Sequence, residues 1–465
     1  MGRGLRVRLG LGVRLGVGFF GDLGLLVAVR VSMGALLLMI FCGLGGDVSG
    51  QVRDQGSGQE AGQMAGQMAG QLAGQTDAWL PATDAVEFSG YLQGSLFRIR
   101  STYPEPLGQK RWMEARVLYR ARLSWDITPN LSLQSESRTR LFAGDLVNEL
   151  PGYASAADDD PGWVDLSTVW TEHPRWFLIS DIDRLYGEWD RGGWNVRVGR
   201  QRVNWGMGQI SQPHDLFNLY SFYDLDYPER PGSDAVRVRR FVGEQSRVEV
   251  AFRPGVKRDD AVAAMLVGTT WRHTDWQLIA GVYRKRLAMG LGWATDVRGI
   301  GLKGESMVFG KSGQREVPDL TDVTGSSDIS EIPGKTDDSV NVVLALSAEY
   351  MFDSGLFWIA EFLYNKDGER DRFQVLGSLP APDNPSFTRT QWTSVWSYPF
   401  TMVMSGALSA GWYPGEEAVY VSPSMSFSVS NRVDWQVAGQ FFAGAEGSIF
   451  EDAGSVLFTA LRWYY

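Results

Sequence analysis

The strongest constraint on this chain is an alternation of period two that runs through Arg111–Asp126. Met113, Ala115, Val117, Tyr119, Ala121, Leu123 and Trp125 alternate with Trp112, Glu114, Arg116, Leu118, Arg120, Arg122 and Ser124. Successive side chains of a β-strand point to opposite faces, so one face is apolar and the other is wet and charged. Thr128-Pro129-Asn130 then supplies a tight turn. The next stretch sets Leu131, Leu133, Thr139 and Leu141 against Gln134, Glu136, Arg138 and Arg140. Two long amphipathic strands joined by a short turn suit a sheet that meets lipid on one side and water on the other.

The pattern recurs along the chain. Further strands are expected near 86–100, 178–189, 194–203, 234–242, 245–253, 262–271, 275–284, 287–294, 298–309, 340–352, 355–364, 397–410, 417–427, 430–442 and 455–464. With 111–127 and 130–142 the total is odd, whereas a single-chain bacterial barrel has an even number. The expectation is therefore an all-β, transmembrane antiparallel β-barrel of about 16 strands, within a range of about 14 to 18. Short turns are expected at Thr128–Asn130, Asp190–Gly193, Gly243–Glu244, Phe352–Gly355 and Ser428–Asn431. Long polar connections at 143–177, 204–233, 310–339 and 365–396 would then face outward.

Composition agrees with a barrel. Aromatic residues make up 12% of the chain, glycines number 55, and there is one cysteine. After residue 50 no run approaches the roughly 20 apolar residues of a membrane helix. The net charge of −10 argues against nucleic acid as a partner.

The first 50 residues read as an export leader. Val31–Gly46 is an apolar run after Arg-rich sequence, with small residues near Val48, Ser49 and Gly50 for cleavage. Cys42 follows the bulky Phe41, which disfavours a lipidated cysteine. Residues 51–85 read as a low-complexity periplasmic linker, with AGQM, AGQM, AGQL and AGQT in tandem from Ala61. Met64, Met68 and Leu72 could instead share a helix face, which the repeated glycines weaken. The barrel would occupy 86–465. Its last strand, VLFTALRWYY, ends on Tyr465. This resembles the terminal strand of outer-membrane barrels, which implies recognition by the barrel-assembly machinery.

The densest stretch of charge and aromatic residues is 196–239. It contains Gly199-Arg200-Gln201-Arg202-Val203-Asn204-Trp205-Gly206, then Pro213 to Asn218, then Arg230 to Ala235. The forms G-R-Q-x-x-N-W-G, P-x-D-x-F-N and R-P-G-x-D-A resemble a diffuse family of uncharacterised bacterial outer-membrane barrels and porin-like proteins. The resemblance covers about 45 residues closely. It implies a large barrel with an inward-folded loop, without a known substrate.

Two readings of the stretch stay open. Arg200, Arg202, Asp215, Asp224, Asp226, Glu229, Arg230 and Asp234 could set opposed charges across a constriction. The same residues could pair with one another and staple the loop to the wall. The arginine rows Arg116, Arg120, Arg122, Arg138, Arg140, Arg237, Arg239, Arg247 and Arg253 would favour anions if they line water. Glu114, Glu136 and Glu249 would neutralise part of that charge. A sugar track over Trp112, Trp271, Trp276 and Trp293 is a weaker alternative, because barrel tryptophans mostly form interfacial girdles.

Enzyme chemistry finds little support. The only histidines are His173, His214 and His273, with no zinc, nucleophile-elbow or P-loop motif around them. Asp158-Asp159-Asp160 reads as a solvated acidic loop rather than a calcium site. No cofactor is expected. The expected function is a passive or weakly selective outer-membrane channel for small polar solutes, surrounded by outer-membrane lipid. The rival is a closed barrel plugged by residues 204–233, with a structural or surface-polysaccharide role.

Overall fold

The computed structural model describes residues 86–103, 108–158, 160, 162–218, 229, 231–311, 340–368, 381–386, 388–446, 448, 450–451 and 453–465. The expected leader, the repeat linker and most of 310–339 lie outside these residues.

Among the described residues, nineteen strands follow in chain order. They are β1 (Val86–Tyr103), β2 (Gly108–Thr128), β3 (Leu131–Gly144), β4 (Ser167–His173), β5 (Trp176–Arg191), β6 (Trp194–Gln201), β7 (Ser233–Val242), β8 (Ser246–Arg253), β9 (Val262–Trp271) and β10 (Thr274–Tyr283). Then come β11 (Arg286–Val297), β12 (Ile300–Phe309), β13 (Asn341–Met351), β14 (Phe357–Asn365), β15 (Thr390–Thr401), β16 (Met404–Tyr413), β17 (Ala418–Ser430), β18 (Val433–Ala443) and β19 (Ser455–Tyr464). Helical turns α1 (Asp145–Glu149) and α2 (Tyr153–Ala157) lie between β3 and β4.

Sequential antiparallel pairing closes on itself, because β1 pairs β19 from Tyr91↔Tyr464 to Arg100↔Ser455. Closure leaves no unpaired sheet edge in the ring, which a structure in hydrocarbon requires. Eighteen strands make the ring and β4 stands outside it. β6 pairs only the lower part of β5, from Arg191↔Trp194 to Leu185↔Arg200. β4 takes over the upper part, Asp181 to Trp176.

The ring is thus larger than about 16 strands. The discrepancy has a definite source. The stretch 397–410, read as one strand, is the end of β15 and the start of β16. The turn between them is Met402-Val403, with Met402 98% exposed. It holds no Gly, Pro, Asn or Asp, so turn chemistry does not announce it. β15 also begins at Thr390, inside the connection expected at 365–396. β4 lies inside the connection expected at 143–177.

Tight turns gather at one end of the barrel, at 129–130, 192–193, 243–245, 272–273, 298–299, 402–403 and 431–432. Arg272 and His273 both hold positive φ, as do Arg284 and Lys285 at the opposite end. Two consecutive left-handed residues match the twist of a two-residue hairpin. Several connections at the opposite end are long, including 202–232 and 366–389.

The faces divide as the alternation demands. Leu92, Leu96, Met113, Val117, Leu278, Leu287, Met289 and Leu461 point outward and are exposed. Tyr91, Gln93, Ser95 and Phe97 alternate with them and are buried inside. The largest interior apolar cluster joins Val203, Trp205, Leu216 and Phe217 to the inner faces of β7–β14.

Candidate functional site

The interior is built from a charged wall and a segment folded against it. The segment leaves β6 after Gln201 and returns at β7. Its start depends on Gly199, whose φ is +121° and whose Cβ would meet Leu185 O at 2.2 Å. Any other side chain at that position clashes with the β5 backbone, which explains the first glycine of the pattern.

Residues 203–218 run over the inner faces of β8 to β14. Val203, Trp205, Leu216 and Phe217 are buried in the apolar cluster, and Ile210 packs with Phe357, Ile359 and Val395. An irregular segment has no backbone ladder of its own, so its N–H groups need other acceptors. Glu305 and Glu361 accept from some of them, and Glu349, on the strand between, holds a side chain of the segment. Glu305 on β12 accepts from the backbone N–H groups of Met207, Gly208 and His214, the last at 3.0 Å. Glu361 on β14 accepts from Ser211 N at 2.9 Å. Glu349 on β13 accepts from Gln209 Nε2 at 2.7 Å and from Lys303 Nζ at 3.0 Å. A Cβ on Gly208 would meet Ser211 O at 2.4 Å, so glycine permits this close turn.

His214 is fully buried. Its Nε2 lies 3.2 Å from Ser306 O, and Gln277 Nε2 lies 3.2 Å from its Nδ1. The tautomer with hydrogen on Nε2 satisfies both contacts. Asp215, also buried, accepts from Asn218 Nδ2 at 2.9 Å. Asn218 Nδ2 in turn donates to Val203 O at 2.6 Å, closing the segment on itself. Arg202, half-buried, lies just beyond β6.

Glu229, ahead of β7, is held by β1 and β2. Glu229 accepts from Tyr91 Oη on β1 at 2.8 Å and lies 3.5 Å from Arg122 and 3.7 Å from Arg120 on β2. Burial alone would raise its carboxyl. The Arg120, Arg462 and Arg122 guanidiniums and the Tyr91 hydroxyl outweigh that and hold it below the usual carboxylate range. Asp224, Asp226 and Arg230 lie outside the described residues.

The wall beside Glu229 is a ladder of ion pairs. Arg120, fully buried, meets Glu136 and Asp183, each at 2.6 Å. Arg138 meets Asp181 at 2.7 Å and Asp183 at 3.3 Å, and Arg140 meets Asp181 at 2.9 Å. Arg116 pairs with Glu114 and lies over the Phe97 ring at 4.3 Å. Arg200 and Asp234, register partners on β6 and β7, meet at 2.8 Å. Arg200 also meets Asp160 at 2.7 Å. Asp160 is therefore a buried staple, not part of a solvated acidic loop.

Lower on β6–β8 the balance changes. Glu249 is 1% exposed and faces Arg239 at 3.1 Å, Arg247 at 3.5 Å and Arg237 at 3.8 Å. Arg197, opposite Arg237 in the register, pairs with Glu188 at 2.6 Å. This cluster holds four guanidiniums and two carboxylates. Glu249 lies deep and Glu188 keeps 18% of its side chain exposed, while Arg247, Arg197 and Arg239 keep 40%, 27% and 26%. Arg122 keeps 45%.

The alternative of a tryptophan track does not assemble. Trp271 and Trp276 lie exposed at the short-turn end on the outer face. Trp112 is inside, where its Nε1 donates to Glu149 of α1 at 3.0 Å. The sequence reading missed Glu305, Glu349 and Glu361. The available signal was a carboxylate on the inward position of an otherwise apolar strand, as in FWIAEFLYN.

No family profile matches the chain, and no curated protein matches it. Solved structures do. Acinetobacter baumannii OccAB4 aligns at 8% identity with a TM-score of 0.51, covering 82% of this chain and 98% of that one. Pseudomonas aeruginosa outer membrane protein OpdK aligns at 9% identity and 0.47, covering 82% and 98%. A Rhodopseudomonas blastica porin variant aligns at 11% identity and 0.40, covering 82% and 100%. Together with the closed ring and apolar outer face, the OccAB4 likeness identifies the fold as that of a bacterial outer-membrane β-barrel.

Proposed function

We propose that the chain is an outer-membrane channel for small polar solutes, that its lumen favours anions, and that the inward segment narrows the passage. The reading places the long connections outside and the tight turns in the periplasm, the usual arrangement of such barrels. The observation that carries it is the wet guanidinium surface on β2 and β6–β8. Arginines that point into a barrel and keep a quarter to nearly half of their side chains accessible have water beside them. An excess of fixed positive charge along that water raises the local concentration of anions. The other site residues serve this passage by pairing. Arg200, Asp234, Asp215 and Glu229 hold the segment, while Arg116, Arg120 and Arg138 stiffen the wall. The terminal strand ending on Tyr465 would serve as the signal for barrel assembly.

The deep burial of 203–218 favours a second reading, a plugged barrel. Planar-bilayer recording of the refolded chain separates the two. Discrete conductance steps support the channel; their absence at every voltage supports the plug and rejects the channel.

A further inference from the structure

The outer face carries a basic patch that the lumen does not use. On β1 the outward residues run Val86, Phe88, Leu92 and Leu96, then change to Arg98 and Arg100. Arg100 lies opposite Arg111 on β2, and Arg98 lies opposite Met113. All three arginines are exposed. The β19 neighbours of Arg98 and Arg100 are Leu457 and Ser455. Neither Arg98 nor Arg111 has an ion pair among the described residues. At the same end of other strands the outward residues are apolar, as with Leu287, Val308, Trp392, Trp412, Val419 and Phe441.

Position along the wall matters here. From Val86 to Arg98 a tilted strand rises about 30 Å, somewhat more than the apolar band of about 25 Å. The arginines therefore stand at the edge of the band, where a charged side chain on the lipid face is tolerated. Arg100 and Arg111 stand directly across the two strands, where an anion between like charges offsets their repulsion. A guanidinium fork fits phosphate oxygens in pairs.

We infer that Arg98, Arg100 and Arg111 bind the phosphate groups of an outer-leaflet glycolipid of the lipid A type. The inference rests on the membrane orientation proposed above, with the long connections outside.

The full chain, folded in detergent micelles, is mixed with bis-phosphorylated lipid A or with its dephosphorylated form. Retained lipid is counted by native mass spectrometry, for the wild type and for an Arg98→Gln/Arg111→Gln variant. Heat-modified gel mobility reports that each barrel is folded. The wild type retains the phosphorylated lipid, and the variant retains about tenfold less. Neither retains the dephosphorylated form, and excess inorganic phosphate does not displace the lipid. Equal retention by wild type and variant, equal retention of the two lipids, or complete displacement by inorganic phosphate each overturns the inference. Should the variant misfold, the single Arg111→Gln change is read in the same way. Bilayer conductance of the variant equals that of the wild type, so a failed lipid test and a failed channel reading are told apart.

Discussion

Ser211 in the inward segment donates its backbone N–H to Glu361 on β14, 2.9 Å from one carboxylate oxygen and 3.1 Å from the other. The two residues lie 150 positions apart. Glu361 is 3% exposed, so the contact is made away from water and holds the segment to the wall.

Removing these acceptors leaves buried N–H groups without partners. Glu361→Ala should lower stability by about 2 kcal/mol and Glu305→Ala by about 3 kcal/mol, since Glu305 serves more donors. Urea unfolding in lipid vesicles checks the order. Both variants should also show noisier open-channel current than the wild type. Quiet currents and unchanged unfolding would mean that the glutamates do not hold the segment.

Arg200 joins β6 to Asp234 on β7 and to Asp160 in the connection after α2. Arg200→Ala strands two buried carboxylates and should cost about 3–5 kcal/mol. Arg200→Lys should recover little, because an ammonium cannot reproduce the fork. Full rescue by lysine would show that charge alone matters at this position.

Glu229 predicts an acid response. Its folded pKa lies below the unfolded value, so the unfolded chain takes up the proton first. The stabilisation is complete above the unfolded carboxyl value of about 4.3 and is lost as pH falls through the folded value. Melting temperature should hold from neutral pH to about 5 and drop below that. Glu229→Gln should be less stable at neutral pH and show a shallower acid drop. An identical acid profile in the variant would remove Glu229 from the account.

Gly199→Ala tests the start of the segment. With φ at +121° and Leu185 O at 2.2 Å from a Cβ, alanine must displace the β5–β6 ladder. The expected loss is about 2–4 kcal/mol, read from unfolding in vesicles. A neutral result would show that the β5–β6 ladder relaxes freely at this position.

The sequence disclosed what local chemistry encodes. β2 alternates cleanly because its successive residues face the outside and the interior of the barrel in turn, and the Thr128–Asn130 turn has its own residues. Arg200 and Asp234 belong to one readable pattern and meet because β6 and β7 pair in register. The Met402-Val403 turn was illegible because two apolar residues make it without glycine or proline. Glu305 and Glu361 showed only as inward carboxylates on apolar strands, and what they hold was illegible for another reason. Each is a single carboxylate whose partners are backbone amides of a segment far away in sequence, and backbone amides carry no residue signature. His214 looked like a loop histidine, and only the fold of that loop into the barrel buries it.

Reversal potential across a KCl gradient tests the central claim most directly. The wild-type channel should show the sign of preferred chloride passage, and Arg239→Gln/Arg247→Gln should move that potential toward zero. Cation preference in the wild type, or a variant indistinguishable from it, would contradict an arginine-lined conducting lumen.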